Sequence, residues 1–326
     1  MAQDTVLIPF SEATKATCLG PGAYTATILD AFAVGQVPQG GYVATCLLEA
    51  VREYMKPRNQ PDAVYAHFEF LDRSEPGPAL VLIEDVKLGQ QISTLHVTMY
   101  QRGLLTGAPW VTPKVSRKKI VAYVTCTDLP AQSGLSLPTS FALQPPAPPV
   151  DLDRLSKHGV DEHWGSYASR SLEFSRFKVR LWDNIDFYVP LRGQHSSSVV
   201  DVWMRLTCGE RFTNTSLSFV ADAWAHLVEG YRAKPGQAPS PDTFPATSIY
   251  WYPTVVFNLE LKKGVPVNGA DWLRMRVTAK EIRNGRLDME TLIFDRDGEL
   301  VALSNHFNLI LSADRNMAKR GAKSRI

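Results

Sequence analysis

The chain has 326 residues, 44% of them hydrophobic, enough for one large core or two ordinary ones, which excludes disorder as its default state. Its 35 basic and 33 acidic residues are interspersed and leave a formal net charge of +2, so electrostatics offers no case for a nucleic-acid partner. Cys18, Cys46, Cys126 and Cys208 are scattered, with no Cys-x-x-Cys pair and no histidine at ligand spacing, so no disulfide framework, metal site or cofactor is expected.

The first informative segment is Pro38-Gln39-Gly40-Gly41, a tight turn that opens into an apolar helix predicted over Gly41 to Met55. The amides of Gly40 and Gly41 would point from a helix N-terminus toward a carbonyl oxygen or a developing oxyanion, although plain turn chemistry accounts for the same residues. Strands follow over Val64 to Leu71, Leu80 to Lys87, Ile92 to Tyr100 and Lys119 to Cys126. A stretch from Leu129 to His163, rich in Pro and Ser, reads as a linker crossing a surface.

The same order then returns. A helix over Ser216 to Tyr231 precedes strands over Thr254 to Leu261, Trp272 to Val277, Arg286 to Phe294 and Leu300 to Leu311. His67-Phe-Glu-Phe70 lies over Asn258-Leu-Glu-Leu261, and Ile120-Val-Ala122 over Leu300-Val-Ala302. The expected architecture is α+β, with two antiparallel sheets each wrapped around a helix. The chain divides into an N-terminal half (1–128), a linker (129–163), a C-terminal half (164–312) and a basic tail (313–326).

No run approaches roughly eighteen uncharged apolar residues, and the N-terminus lacks a basic region followed by a long apolar one, so no membrane span and a cytoplasmic location are expected. The chain ends in Ser324-Arg325-Ile326, a loose relative of the Ser-Lys-Leu peroxisomal address, for which a frayed basic tail is the plain explanation.

The doubled helix-and-sheet order, the Pro-Gln-Gly-Gly-Tyr helix entry, His67-Phe-Glu-Phe-Leu71 with Pro76-Gly77 after it, Ala221-Asp-Ala223 and Asp297-Gly-Glu-Leu-Val-Ala302 together resemble the double-hotdog acyl-CoA thioesterases and the wider thioesterase-like superfamily. The resemblance spans about Tyr24 to Leu311 and implies a double hotdog, a pseudo-dimer within one chain that could itself pair as a homodimer. It also implies an acyl thioester, carried by coenzyme A or a carrier protein, as the small-molecule substrate. In type II members an Asp, a Ser or Thr and a Gln orient the attacking water. Aligned on Leu261, Trp272 and Asp297-Gly298, these positions fall at Val256, near Lys280 and at His306, which removes the expected base.

The catalytic candidates are therefore His306 as general base, with His67 and its repeat mate Asn258 expected to converge on it beside Gly40 and Gly41. Tyr65, Tyr250 and Trp251 are candidate walls for a flat or greasy ligand. Glu69 and Glu260 read as solvated edge residues, with holding an imidazole in one tautomer as the alternative, and Asp222 reads as a cap or brace for local backbone, with a direct catalytic role as the alternative. Hydrolysis is one expectation. Loss of the Asp, hydroxyl and Gln together would favour a non-hydrolytic isomerase, dehydratase or cyclase in which His67 and His306 move protons, and fold alone does not decide between them.

Overall fold

The computed structural model describes residues 7–167 and 179–317, so the Ser-Arg-Ile tail lies outside the described residues. The first half contributes β1 (Ala16–Gly20), β2 (Ala23–Ile28), β3 (Asp62–Phe70), β4 (Gly77–Lys87), β5 (Ser93–Gln101) and β6 (Arg117–Thr127). The second contributes β7 (Trp164–Ser166), β8 (Ile185–Pro190), β9 (Val199–Leu206), β10 (Thr254–Leu261), β11 (Leu273–Thr278), β12 (Arg286–Phe294) and β13 (Leu300–Leu309). All pair antiparallel in the order β1-β2-β4-β5-β6-β3-β10-β13-β12-β11-β9-β8-β7, and Ile282–Arg283 adds a short fourteenth strand on β12.

The α+β hotdog character matches the expectation, but two separate sheets do not form: one sheet runs through both halves. β3 and β10 would each end its half with a row of unpaired backbone groups, and pairing them satisfies both rows. Phe68 lies opposite Phe257 at this seam, their rings stacked at 5.4 Å on the inner face. His67 lies opposite Asn258 on the other face, so the two residues aligned by the repeat are cross-strand partners.

Helix α1 (Gly40–Met55) packs against β1, β2 and β3. The Gln39 side chain caps it by accepting the Tyr42 amide, and Val43, Leu47, Leu48 and Val51 bury its apolar stripe. It gives way to a 3₁₀ turn, Lys56–Arg58, closed by Asn59 in the left-handed region. The linker contains α2 (Leu152–His158), capped by Asp151, whose Leu152 and Leu155 pack with Trp164, Tyr188, Trp203 and Trp272 in a second, smaller core. Arg276 ties the linker down by pairing with the buried Asp201 at 2.6 Å and donating to the Pro145 carbonyl at 2.6 Å.

The second predicted helix is broken. Only α3 (Leu217–Ala221) is α-helical; Asp222 caps its end, the Ala223 amide bonds back three residues to Val220, and a 3₁₀ segment occupies Leu227–Tyr231. Asp222 directs its carboxylate across to α1 and β10 rather than along its own helix, and periodicity carries no trace of such a contact. α1 and α3 touch at Gly41, where a Cβ would lie 2.3 Å from the Ser218 carbonyl oxygen and 2.8 Å from the Asp222 Cβ. A Thr45–Ser218 hydroxyl pair at 2.8 Å continues the seam. Among the described residues no helix is long and apolar enough to cross a membrane.

Gly41→Ala separates helix propensity from packing. An exposed Gly→Ala change inside a helix stabilises by about 1 kcal/mol. Here the added methyl forces the helices apart, and urea unfolding is expected to show a loss of about 1–3 kcal/mol.

Candidate active site

A cavity of about 740 Å³ lies where the N-terminus of α1, the end of β3 and the segment 250–255 meet. That volume suits a small-molecule site. Gln39, Gly40, Asp222 and Thr254 line it. Asp222 Oδ2 accepts the Gly41 amide at 2.8 Å and Oδ1 accepts the Thr254 hydroxyl at 2.9 Å, while Thr254 Oγ1 accepts from Asn308 Nδ2 at 3.0 Å. Burial pushes the Asp222 carboxyl up to about 6, against the opposing pull of the Gly41 amide and Thr254 hydroxyl. Such a group is ionised at neutral pH and still a useful proton acceptor.

His306 points inward from β13, its ring stacked on Phe257 at 4.5 Å. Nε2 lies 2.9 Å from the Ser304 hydroxyl, and Nδ1 lies 3.6 Å from Asp222 Oδ1, slightly beyond hydrogen-bond reach. Burial pushes the imidazole down to about 3, so it is neutral at physiological pH. The expected general base is therefore a poorer proton acceptor than the carboxylate it faces, because burial disfavours the charged imidazolium. It stands behind Asp222 and does not line the cavity.

The expected convergence of His67, Asn258, Gly41 and His306 does not occur. Side chains alternate along β3, so Ala66 and Phe68 face the core whereas Tyr65, His67 and Glu69 face outward. His67 Nδ1 meets Asn258 Oδ1 at 2.7 Å and Nε2 lies 3.3 Å from Glu69, a surface cluster on the far side of the sheet. Tyr65, its hydroxyl 3.5 Å from Asn258 Oδ1, belongs to that cluster and is no wall of the cavity. A shift of one residue in register would reverse every one of these directions.

The alignment that put the carboxylate at Val256 and the hydroxyl near Lys280 also fails. Val256 pairs with Glu69 at the seam, and Lys280 reaches the exposed side of β12 to pair with Glu290 at 3.2 Å. A carboxylate, a hydroxyl and a third polar side chain do come together, as Asp222, Thr254 and His306. The available sign was an acidic residue embedded in Phe219-Val-Ala-Asp-Ala-Trp224, where a carboxylate is costly to bury without a purpose.

Gln39 is a site residue with no counterpart in the sequence reading. It is 6% exposed, its Oε1 is held by the Tyr42 amide, and its Nε2 is buried with no hydrogen-bond partner among the described residues. Gly40 beside it occupies the first helical position, whose amide has no intrahelical acceptor. The Gly41 amide, expected to face a ligand, is committed to Asp222 instead. Tyr250 and Trp251 line the cavity. Cys46 and Cys126 do not, and burial pushes both thiols up to about 12, out of nucleophilic range.

The sequence profile of the acyl-CoA thioesterase N-terminal domain matches residues 28–127, and that of the acyl-CoA thioesterase C-terminal domain matches residues 145–310. The chain belongs to the double-hotdog, thioesterase-like superfamily. It is 40% identical to the thioesterase-like protein TwmA of Talaromyces wortmannii over 336 aligned positions, covering 97% of this chain and 96% of that one. Among solved structures, a hotdog-fold protein of unknown function from Alicyclobacillus acidocaldarius superimposes with a TM-score of 0.70 at 15% identity, covering 94% of this chain and 99% of the other. Acyl-CoA thioesterase II TesB2 of Mycobacterium marinum superimposes with a TM-score of 0.61 at 17% identity, covering 93% and 98%. At such identities the likeness is one of fold. Within this superfamily the protein is a thioesterase-like hotdog enzyme.

The raised Asp222 carboxyl makes the site a stability liability. The group protonates near pH 6 in the fold but near 3.8 when unfolded, so the stabilisation from protonation is complete below 3.8 and is lost as pH rises through 6. Asp222→Asn is therefore expected to be more stable than the parent at about pH 8 by on the order of 2–3 kcal/mol. The difference should vanish below about pH 4 in urea titrations at the two pH values.

Proposed function

We propose that the protein hydrolyses an acyl thioester, with Asp222 as general base. The observation that carries this reading is a buried, hydrogen-bonded carboxylate of raised proton affinity lining the cavity beside a helix N-terminus. A water held by Asp222 and Thr254 attacks the thioester carbonyl carbon as its proton passes to the carboxylate. The oxygen of the tetrahedral intermediate takes its hydrogen bonds from the Gly40 amide and Gln39 Nε2, donors set in place before substrate arrives. Collapse breaks the C–S bond, and the departing thiolate takes the proton back from Asp222, leaving a carboxylic acid and a thiol.

His306 serves in this scheme as a neutral neighbour. With its proton on Nδ1 it turns an N–H toward Asp222 while Nε2 accepts from Ser304, and a glutamine amide could present an N–H in the same direction. That accounts for a histidine where the resemblance implies glutamine. The isomerase or dehydratase alternative needed His67 and His306 as a proton-moving pair, and the sheet lies between them.

Thiol release from a panel of acyl-CoA esters tests the reading. Asp222→Asn is expected to lose about 1,000-fold or more in kcat, and the parent kcat/KM should rise with pH to a plateau with a midpoint near the carboxyl's value of about 6. No release from any ester would reject hydrolysis. His306→Gln is expected to keep activity within about tenfold with an unchanged pH midpoint, whereas loss of activity together with loss of that midpoint would return the base role to His306.

Gln39→Glu isolates the oxyanion contact. It keeps the oxygen that caps α1 but replaces the amide donor with a second carboxylate oxygen. The expected loss is about 100-fold in kcat with KM little changed, and unaltered thermal unfolding would separate this from a loss of the cap.

A further inference from the structure

Resting on the thioester reading, a second question is which acyl group the cavity takes. Phe70, Trp182, Tyr250, Trp251 and Tyr252 all line it, and all remain part-exposed although the core around α1 is closed. Aromatic side chains that serve packing alone, such as Phe68, Phe257 and Trp164, are fully covered. The five around the cavity come from both halves of the chain and leave surface open toward it.

The wall is held in place by its neighbours. Tyr250 and Trp251 form a short strand paired with Leu311 and Ser312. The Tyr252 hydroxyl donates to Glu229 at 2.5 Å, and Glu229 is paired with Arg232, whose Nη1 donates to the Ala246 carbonyl at 2.8 Å. The Glu229 charge beside this wall is thus neutralised by Arg232. His226, whose ring lies 5.4 Å from that of Trp182, is kept neutral by burial. On another side Arg73, Arg102, Arg117 and Arg315 line the cavity together with Asp72, and Arg102 is paired with Glu75 at 2.7 Å, so arginines outnumber the acids there.

We infer that the acyl group is flat and unsaturated, an aryl or conjugated cyclic ring system, and that it is preferred over a saturated straight chain of equal carbon number. Rigid aromatic walls offer offset and edge contacts to a planar π-system and freeze no internal rotations in it. A flexible alkyl chain gains no such contacts and loses rotational freedom on every bond that is ordered. The arginine side suits the anionic groups of the carrier arm, which both kinds of substrate share, so it does not discriminate between them.

The test uses two thioether ketones of coenzyme A that cannot be hydrolysed and carry eight carbons each: S-phenacyl-CoA and S-(2-oxooctyl)-CoA. Calorimetric titration of the full-length parent protein is expected to give about tenfold tighter binding of the phenacyl compound. In Tyr250→Leu/Trp251→Leu, and separately in Trp182→Leu should the double variant fold poorly, that preference should shrink toward unity. Equal binding, tighter binding of the oxooctyl compound, or no binding of either overturns the inference. Because no hydrolysis is read, the outcomes are separable. Phenacyl preference without turnover of any ester upholds this inference and rejects the hydrolase, whereas ester turnover with an alkyl preference does the reverse.

Discussion

The arrangement depends on one buried carboxylate. Asp222 sits where two helices meet, taking an amide from the N-terminus of α1 and a hydroxyl from β10, elements that come from opposite halves of the chain. A carboxylate in that position is expensive to desolvate, and its two hydrogen bonds offset only part of the cost, which is why its proton affinity stays raised. The contact requires Gly41, since any side chain there would meet the Ser218 carbonyl. One glycine therefore serves both helix packing and the placement of the buried carboxylate.

The continuous sheet is the frame that makes this contact possible. Pairing β3 with β10 sets the halves edge to edge and brings α1 and α3 together above the seam, each supplying what the other lacks. The halves have diverged. The first keeps a full sixteen-residue helix, while the second shortens its helix to five residues so that the chain after Ala221 can turn the carboxylate toward the cavity and supply part of its wall. The linker packs its own apolar residues over the outer face of the second half, whereas Tyr65 and Tyr123 on the first half remain exposed.

Much of the framework was legible from residues. The β10 and β12 limits agree with the expected strands, and α1 was placed to within one residue, because strong alternation or a continuous apolar stripe leaves little choice of period. β1, β2 and the strands from Trp164 to Leu206 were not anticipated, being short or flanked by polar turns. The site was read less well. His67 stands out in the sequence through the family resemblance and its repeat mate Asn258, yet period-two geometry sends it outward once Phe68 is buried. Gln39 reads in the sequence only as part of a Pro-Gln-Gly-Gly turn, and the structure gives its oxygen a capping task and leaves its nitrogen without a partner among the described residues.

What the chain's residues determined alone was the duplicated order of elements, the apolar helix behind Pro-Gln-Gly-Gly, and the aromatic run before Pro253. These are local patterns, written in the spacing of neighbouring side chains. Tertiary structure decided that the sheet is single, that the second helix stops at Asp222, and that this carboxylate lines the cavity while His306 stands behind it. Proton affinity depends on burial and on partners distant in sequence, here Gly41 on one side and Thr254 on the other, and neither contact leaves a mark on local periodicity.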